Sequence, residues 1–300
     1  MSIAERTESA SIRPVARLVP ARRATEGEGF PIRRPFPTQA LMDLDPFLML
    51  DEVGPVDWPP GQAKGAPDHP HRGFETVSYM LSGEKLHEDS TGKSQLLHGG
   101  DVQWMTAGAG IVHSEMPSAR FRAAGGRTHS FQIWVNLPIA AKGATPGYQY
   151  LPGADIPVGR SDDGLIEAKV ISGEAFGVAG GIGTHTPVVL QDWTVAPGGR
   201  GRVELPADHN AALYVFGGAV LTGPDGARVE DGTLAILAPG DAIEIAAAPG
   251  TAEPARLLLL AGRPLNEPVA RYGPFVMTTE DEIYQAIRDY QSGRMGTIRR

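Results

Sequence analysis

The stretch Gly73–Trp104, GFETVSYMLSGEKLHEDSTGKSQLLHGGDVQW, decides the fold class of this 300-residue chain. Apolar and polar residues alternate through TVSYML. Short glycine-containing turns then separate this segment from KLHED, SQLL and VQW, which follow it. Strands of about five residues that are joined by tight turns are typical of a β-sandwich or a small β-barrel. The pattern therefore predicts an all-β protein.

The second half of the chain repeats this pattern in outline. YMLSGE, which begins at Tyr79, recurs as YVFGGA from Tyr214. HGGDVQW, which begins at His98, recurs as APGDAIEI from Ala238. Internal repetition of this kind indicates two similar β domains rather than one large one.

Changes in composition predict where these domains begin and end. Residues 1–13 are polar and unpatterned, so we expect a flexible tail there. Residues 138–147 (PIAAKGATPG) lack periodicity and are expected to link the two domains. The first barrel would then span residues 14–137 and the second residues 148–277. Residues 278–300 are expected to form a C-terminal helix and tail.

The pattern TTEDEIYQAIRDYQSG predicts one helix near the end of the chain, over Thr278–Gly293. Thr279 is a suitable N-cap, and Glu282 three residues later completes a capping box. Gly293 is expected to end the helix. We expect a structural role for it rather than a catalytic one.

Composition excludes several functional classes. The chain has no cysteine, which rules out disulfides, thiolate nucleophiles and cysteine-ligated metals. The net charge of −8 is unfavourable for direct binding to nucleic acid. The sequence shows neither an apolar run long enough to span a membrane nor a signal peptide. We therefore expect a cytoplasmic protein that binds neither membrane nor nucleic acid.

Two short histidine motifs are candidates for metal binding. His69 and His71 form H-x-H, and His113 and Glu115 form H-x-E. Residues i and i+2 of a strand face the same side, so two such strands would bring four ligands together. Nitrogen and oxygen donors suit Fe(II), Mn, Co, Ni, Cu(II) or Zn. Glu75, four residues after His71, is a rival ligand.

We expect the remaining histidines to be structural, solvated or adjacent to the ligands. His87, His98 and His129 are not expected to bind the metal themselves. The second half lacks the ligand pattern, because aligning the two repeats replaces the four candidate ligands. The aligned residues are Glu204, Pro206, Glu253 and Ala255.

A longer resemblance adds to this interpretation. The segment PDHPHRGFETVSYMLSGEKLHEDSTG, followed by GGDVQWMTAGAGIVHSEMP, closely resembles the pirin family of the cupin superfamily. LDPFLMLDEVGP upstream, FQIWVNLP downstream and GPFVMTTEDEIYQAI near the C-terminus are similar to pirin segments as well. The resemblance covers nearly all of the chain beyond Val15.

The resemblance implies a bicupin, that is, two stacked antiparallel β-barrels with one metal ion in the first. It implies His69, His71, His113 and Glu115 as the metal ligands. Iron, as Fe(II), is the expected metal. Glu75, a ligand in many other cupins, would instead lie beside the site. The second barrel would hold no metal.

Two classes of function are implied by the same resemblance. Several pirins are quercetin 2,3-dioxygenases, which cleave flavonols with O2. Others are metal- or redox-responsive regulators that act through protein partners, either as transcription cofactors or as modulators of metabolic enzymes. In the enzyme, a flavonol would bind at the metal, and Glu115 or alternatively Glu75 would take its hydroxyl proton. Trp104 and Met105 would either line the pocket or pack in the core.

Overall fold

The computed structural model describes residues 10–300, and these residues form 26 strands and two α-helices. The first twelve strands are β1 (Val15–Pro20), β2 (Arg22–Glu26), β3 (Phe30–Phe36), β4 (Phe47–Trp58), β5 (Ala66–His71), β6 (Phe74–Ser82), β7 (Glu84–Asp89), β8 (Ser94–His98), β9 (Val102–Thr106), β10 (Ile111–Met116), β11 (Gly126–Asn136) and β12 (Gly147–Leu151). The next seven are β13 (Val158–Arg160), β14 (Ile166–Ser172), β15 (Glu174–Ala175), β16 (Val178–Ala179), β17 (Val188–Val195), β18 (Arg200–Glu204) and β19 (Asn210–Gly217). The last seven are β20 (Ala219–Thr222), β21 (Ala227–Glu230), β22 (Thr233–Leu237), β23 (Ala242–Ala247), β24 (Ala255–Gly262), β25 (Ala270–Tyr272) and β26 (Phe275–Met277).

The helices are α1 (Ala119–Ala124) and α2 (Glu280–Gln291), and two short 3₁₀ turns occupy Ile139–Ala141 and Gly153–Asp155. The all-β prediction is confirmed. Within residues 10–300, neither helix has the length and apolar character needed to cross a membrane.

The described residues form two compact units. The first unit contains Pro20–Ile156, Gly181–Pro187 and Gly262–Arg300. The second contains the described residues up to Val19 together with Pro157–Gly180 and Val188–Ala261.

Two antiparallel sheets build the first unit. A seven-stranded sheet has the order β12-β9-β6-β11-β4-β3-β2, and a four-stranded sheet has the order β5-β10-β7-β8. The small β25-β26 hairpin completes the unit. Gly73 lies between β5 and β6 with φ +88, and a Cβ there would meet the backbone oxygen of Val276 at 1.9 Å. Only glycine fits this close approach of the hairpin to the connection between β5 and β6.

The second unit has sheets of the same sizes. Its seven-stranded sheet has the order β1-β22-β19-β24-β17-β14-β13, and its four-stranded sheet has the order β18-β23-β20-β21. Apolar side chains from both sheets form one continuous core, which includes Trp193, Leu213, Val220, Ile243 and Leu257. The prediction of two similar β domains is therefore confirmed.

Strand pairing corrects the alignment of the two repeats. HGGDVQW leads into β9, whereas APGDAIEI leads into β23, which pairs like β10 rather than β9. Ile111 of β10 lies opposite His71, and Ala242 of β23 lies opposite Glu204. By this register, the residues that correspond to the four candidate ligands are Arg202, Glu204, Glu244 and Ala246. The described residues of the second unit still lack the ligand set; Glu204 belongs to both alignments, but it corresponds to His71 rather than to His69, and the other three residues differ.

The domain boundaries also differ from the predicted ones. Residues 138–147 do not link two domains, because Lys142 is buried and β12 pairs along β9 within the first unit. Strand β1 pairs in the second unit, although the sequence assigns it to the first barrel. Backbone pairing decides both cases, since an unpaired strand edge leaves its hydrogen-bonding groups unsatisfied.

The predicted N-terminal tail is ordered where the structure describes it. Arg13 is 1% exposed, and its guanidinium donates to the backbone oxygens of Pro206 and His209. The Arg13 backbone N–H also bonds to Ala242. The flexible-tail prediction is therefore wrong for residues 10–13, and residues 1–9 lie outside the described part of the chain.

Helix α2 has the predicted capping box at Thr279 and Glu282. It belongs to the first unit, where Ile283 and Ala286 pack against Phe275 and Met277 of the β25-β26 hairpin.

Candidate metal centre

Three of the predicted ligands meet on two adjacent strands. Strands β5 and β10 are antiparallel neighbours, and His113 lies directly opposite His69. The ring centroids of His69, His71 and His113 are 4.3–4.9 Å apart. One nitrogen from each ring lies within 4.8 Å of the others. The H-x-H spacing therefore places both imidazoles of β5 on the face that His113 also occupies.

The surroundings of the three imidazoles fit a metal ion. Nδ1 of His69 faces the carbonyl of Pro67 at 2.7 Å, and Nδ1 of His71 faces that of Pro274 at 3.4 Å. Carbonyl oxygens only accept, so these Nδ1 atoms carry the protons and Nε2 remains free for a metal. Nε2 of His113 is buried and has no hydrogen-bond partner among residues 10–300. A bound cation would satisfy this nitrogen.

Burial also keeps two of the imidazoles neutral. Burial, followed by the charge of His69, lowers the pKa of His71 to about 3. The same two causes, in the same order, hold the pKa of His113 well below its ordinary value. Neutral imidazole is the form that binds metals, so no proton must be displaced near pH 7.

The fourth predicted ligand, Glu115, lies outside this close group of nitrogens. Its Oε1 accepts hydrogen bonds from Ser78 Oγ at 2.5 Å and Lys85 Nζ at 3.2 Å. The β5–β10 register shifts between His113 and Glu115, as in a β-bulge, which re-aims the side chain. Burial raises the pKa of Glu115, but Lys85 and Ser78 outweigh it and lower the pKa to about 2.

A cavity of about 710 Å³ opens over these residues. His69, His71 and Glu115 line it, and its polar wall includes Lys85 and Gln132. Its apolar wall includes Phe30, Met49, Met80 and Trp134. A small-molecule pocket in a protein usually combines an apolar wall with a few polar groups, as this cavity does.

Glu75 does not reach the metal centre. In β6, Phe74 contacts His71 and Ser78 contacts Glu115, so the even-numbered residues face the ligands. Glu75 therefore points to the opposite face, where its Oε1 is bonded to Thr106 and His185. This placement corrects the interpretation of Glu75 as a ligand, a neighbour of the site or a base.

The remaining expectations have mixed outcomes. His98 is exposed and His129 contacts Glu52, as expected of residues that do not bind the metal. His87 is buried, and its Nδ1 lies 3.4 Å from Nδ1 of His113. Trp104 and Met105 are buried and are absent from the cavity lining, which agrees with the core-packing alternative.

Several residues of the site carried no usable sequence signal. Lys85, Gln132 and Tyr148 sit in no metal motif, and tertiary contacts alone bring them to the centre. Ser78 is buried in β6, but the alternation of polar and apolar residues in that strand gives it no distinguishing signal either.

The fold and the histidine group together define a two-domain cupin protein whose first unit has three histidines that could hold a metal ion. Two family models match the chain: Pirin over residues 29–135 and the Pirin C-terminal cupin domain over residues 190–296. The chain belongs to the pirin family.

Similar proteins include both pirins and quercetinases. Human Pirin is 41% identical over 291 residues, which is 95% of each chain. A pirin-like protein of Caulobacter vibrioides is 42% identical, covering 94% of this chain and 99% of its own. The crystal structure of quercetin 2,3-dioxygenase from Acinetobacter baumannii has 36% identity and a TM-score of 0.89, covering 96% of this chain and 100% of that one.

Proposed function

We propose that this protein is a metal-dependent dioxygenase that cleaves a flavonol such as quercetin with O2. The observation that carries the proposal is the group of His69, His71 and His113, two members of which, His69 and His71, line one wall of a cavity of about 710 Å³. Pockets of about 300–1,000 Å³ hold drug-sized ligands, so a flavonol fits this one. The similarity to a structure solved as quercetin 2,3-dioxygenase supports the same activity.

His69, His71 and His113 would hold one divalent metal ion, with an oxygen of Glu115 as the fourth donor. We propose Fe(II), in keeping with the family, while the same donors can also bind Mn, Ni, Co, Cu or Zn. When bound, the ion supplies Lewis-acid stabilisation of a substrate oxyanion and lowers the pKa of the hydroxyl that gives rise to it.

The chain's own residues bind the substrate and accept its proton. Trp134, which packs against His71 and lies under Arg271, lines the cavity and offers an apolar contact for the flavonol rings. Glu115 is ionised near pH 7, and because its lowered pKa makes it a weak base, it would accept the proton of the 3-hydroxyl only when the bound ion lowers the pKa of that hydroxyl. Lys85 and Ser78 hold its carboxylate in place. Ring opening with release of carbon monoxide completes the proposed reaction.

The test is quercetin consumption together with carbon monoxide release. The protein is loaded anaerobically with each metal in turn and then exposed to O2, and metal content is measured in parallel. Turnover is expected with one metal. His113→Ala should lose both metal and turnover, whereas His98→Ala, at an exposed histidine, should keep both. No turnover with any metal in fully loaded protein would overturn the proposal.

Glu115→Gln tests the proton acceptor separately. Glutamine keeps an oxygen donor but cannot take the proton, so kcat should fall by roughly 10²–10⁴-fold while metal content remains high. Unchanged kcat in the metal-loaded variant would exclude Glu115 as the base.

The second candidate is a metal-responsive regulator that acts through a protein partner. The observation that favours it is a group of surface ion pairs beside the proposed ligands. Asp68, next to His69, is paired with Arg300, which also contacts Glu88. A change at the metal could thus reach the surface. Metal-loaded protein that binds a partner only in one iron oxidation state, and turns over no flavonol, would support this function.

A further inference from the structure

One of the three proposed histidine ligands differs from the other two in the group that its Nδ1 atom faces. Nδ1 of His69 and Nδ1 of His71 face carbonyl oxygens, which can only accept a hydrogen bond. Nδ1 of His113 instead faces Nδ1 of His87 at 3.4 Å. Either imidazole can donate in such a pair, so the contact alone leaves the tautomer of His113 undetermined.

The groups beyond His87 remove this ambiguity. Nε2 of His87 lies 2.9 Å from the hydroxyl of Tyr148, and that hydroxyl donates to Oδ2 of Asp89. A carboxylate only accepts, so the Tyr148 proton points to Asp89 and its oxygen accepts from His87. His87 therefore carries its proton on Nε2, and its Nδ1 accepts from Nδ1–H of His113. Nε2 of His113 is left with a free lone pair.

The structure supports this direction at both ends. At one end, Nε2 of His113 is buried and has no partner in the described part of the chain, as expected of a nitrogen that binds a metal ion. At the other end, Asp89 is 1% exposed, and its Oδ1 accepts from both the backbone N–H and the hydroxyl of Thr91. These bonds commit Oδ1 to Thr91 and leave Oδ2 for Tyr148.

We propose that Asp89, Tyr148 and His87 form a hydrogen-bonded relay that sets the tautomer and orientation of His113 and thereby strengthens metal binding. The three are positioning residues, since they would act on the ion only through His113. The relay crosses the unit, because Tyr148 comes from β12 of the seven-stranded sheet and the other members lie on β7 and β10. The inference rests on the proposed metal site but does not depend on the dioxygenase activity.

Two substitutions separate this relay from simple packing. Tyr148→Phe removes the hydroxyl and breaks the relay. Asp89→Asn should reverse it: Thr91 keeps the amide oxygen at the Oδ1 position, so the NH₂ group faces Tyr148 and donates. Tyr148 would then donate to His87, His87 would donate to Nδ1 of His113, and the proton would sit on Nε2 of His113, where it blocks the metal.

The matched control is Tyr150→Phe. Tyr150 lies on the same strand, two residues from Tyr148, and donates to a carboxylate of its own, Asp101, at 2.8 Å. It has no contact with His87 or His113 among the described residues. Loss of a tyrosine hydroxyl from β12 is thereby tested apart from loss of the relay.

The first measurement is the Kd for Co(II) alone, by anaerobic titration against a competing chelator. Tyr148→Phe should weaken binding by about 10–100-fold, which is the usual effect of removing a partner of a metal-bound histidine. Asp89→Asn should weaken it more than Tyr148→Phe, and Tyr150→Phe should match the wild type. Equal affinities for all four proteins would overturn the relay. A wild type that binds no metal would instead overturn the proposed metal site.

The second measurement is the tautomer of His113 in metal-free protein, by long-range ¹H–¹⁵N correlation NMR. The wild type should show protonated Nδ1 and Asp89→Asn protonated Nε2, while His69 and His71 should remain protonated on Nδ1 in both. Protonated Nε2 on His113 in the wild type would overturn the inference, whether or not the variants fold.

Discussion

Replacing Lys85 with methionine should destabilise the metal-free protein at pH values where Glu115 is charged. The two side chains form an ion pair at 3.2 Å, with exposed fractions of only 17% and 9%. Burial alone would raise the pKa of Glu115, but Lys85, followed by Ser78, lowers it from 4.5 to about 2. In Lys85→Met the burial remains and the compensating cation is gone.

The magnitude follows from the pKa difference. At about 1.4 kcal/mol per pH unit, a pKa lowered from 4.5 to about 2 corresponds to roughly 3 kcal/mol, and slightly less after allowance for partial exposure. Because the folded-state pKa is lowered, this stability is present above pH 4.5 and is lost as the pH falls towards 2. Removing one member of a buried pair typically costs about 3–5 kcal/mol. We expect Lys85→Met to lose about 3 kcal/mol at pH 7.

The assay is urea unfolding of chelator-treated protein at pH 7 and pH 4. In Lys85→Met the pKa of Glu115 should rise above its ordinary value, so acid neutralises the unpaired carboxylate. The difference in unfolding free energy between wild type and Lys85→Met, the stability gap, should therefore be smaller at pH 4 than at pH 7. Lys93→Met is the matched control, because Lys93 is exposed and its ammonium lies over the Tyr148 ring rather than at a carboxylate. A gap under about 1 kcal/mol at pH 7, or an equal gap at both pH values, would refute the reasoning.

Four further outcomes are expected. His69→Ala should abolish metal binding in elemental analysis while the metal-free protein still unfolds cooperatively; retained metal would remove His69 from the ligand set. Glu75→Gln should leave metal content unchanged, because its carboxylate faces away from the ligands, and loss of metal would show otherwise. Arg13→Met should lower the free energy of unfolding by about 3 kcal/mol, since two carbonyls lose a charged donor; wild-type stability in urea would mean that the Arg13 guanidinium contributes nothing. Burial lowers the pKa of Lys142 from 10.5 to about 8, so the wild type should gain stability as the pH rises from 8 towards 10.5. Lys142→Met should lack that gain. If the free energy of unfolding, measured with urea, changed with pH equally in the wild type and the variant, the prediction would be wrong.

The cupin architecture could be predicted from local patterns. Alternation of apolar residues and short glycine turns depends only on neighbouring residues, and the predicted strands along Gly73–Trp104 are present as β6 to β9. The capping box at Thr279 and Glu282 is equally local and is present as predicted. The assignment of segments to units was not predictable from such patterns. Strands β1 and β12 are placed by their pairing partners, which lie far away in the sequence or beyond the predicted boundary.

The candidate metal centre, too, could be predicted from the sequence only in part. The i, i+2 spacing of His69 and His71 was sufficient to place both imidazoles on one face, whatever the surrounding fold. Glu75, the rival ligand, lies on the opposite face because Gly73, with φ +88, interrupts the alternation between His71 and Glu75. Only the β5–β10 register could show that His113 lies opposite His69.

Sequence by itself determined which segments form strands, the turns between them and the candidate donor atoms, because alternation and turn chemistry act over a few residues. Tertiary structure decided which of those donors meet, which carboxylate is held by Lys85, and which groups support His113. Tyr148 shows the reason most clearly. It lies 2.9 Å from His87 in space although 61 positions separate them in the chain, and only the packing of the two sheets closes that distance.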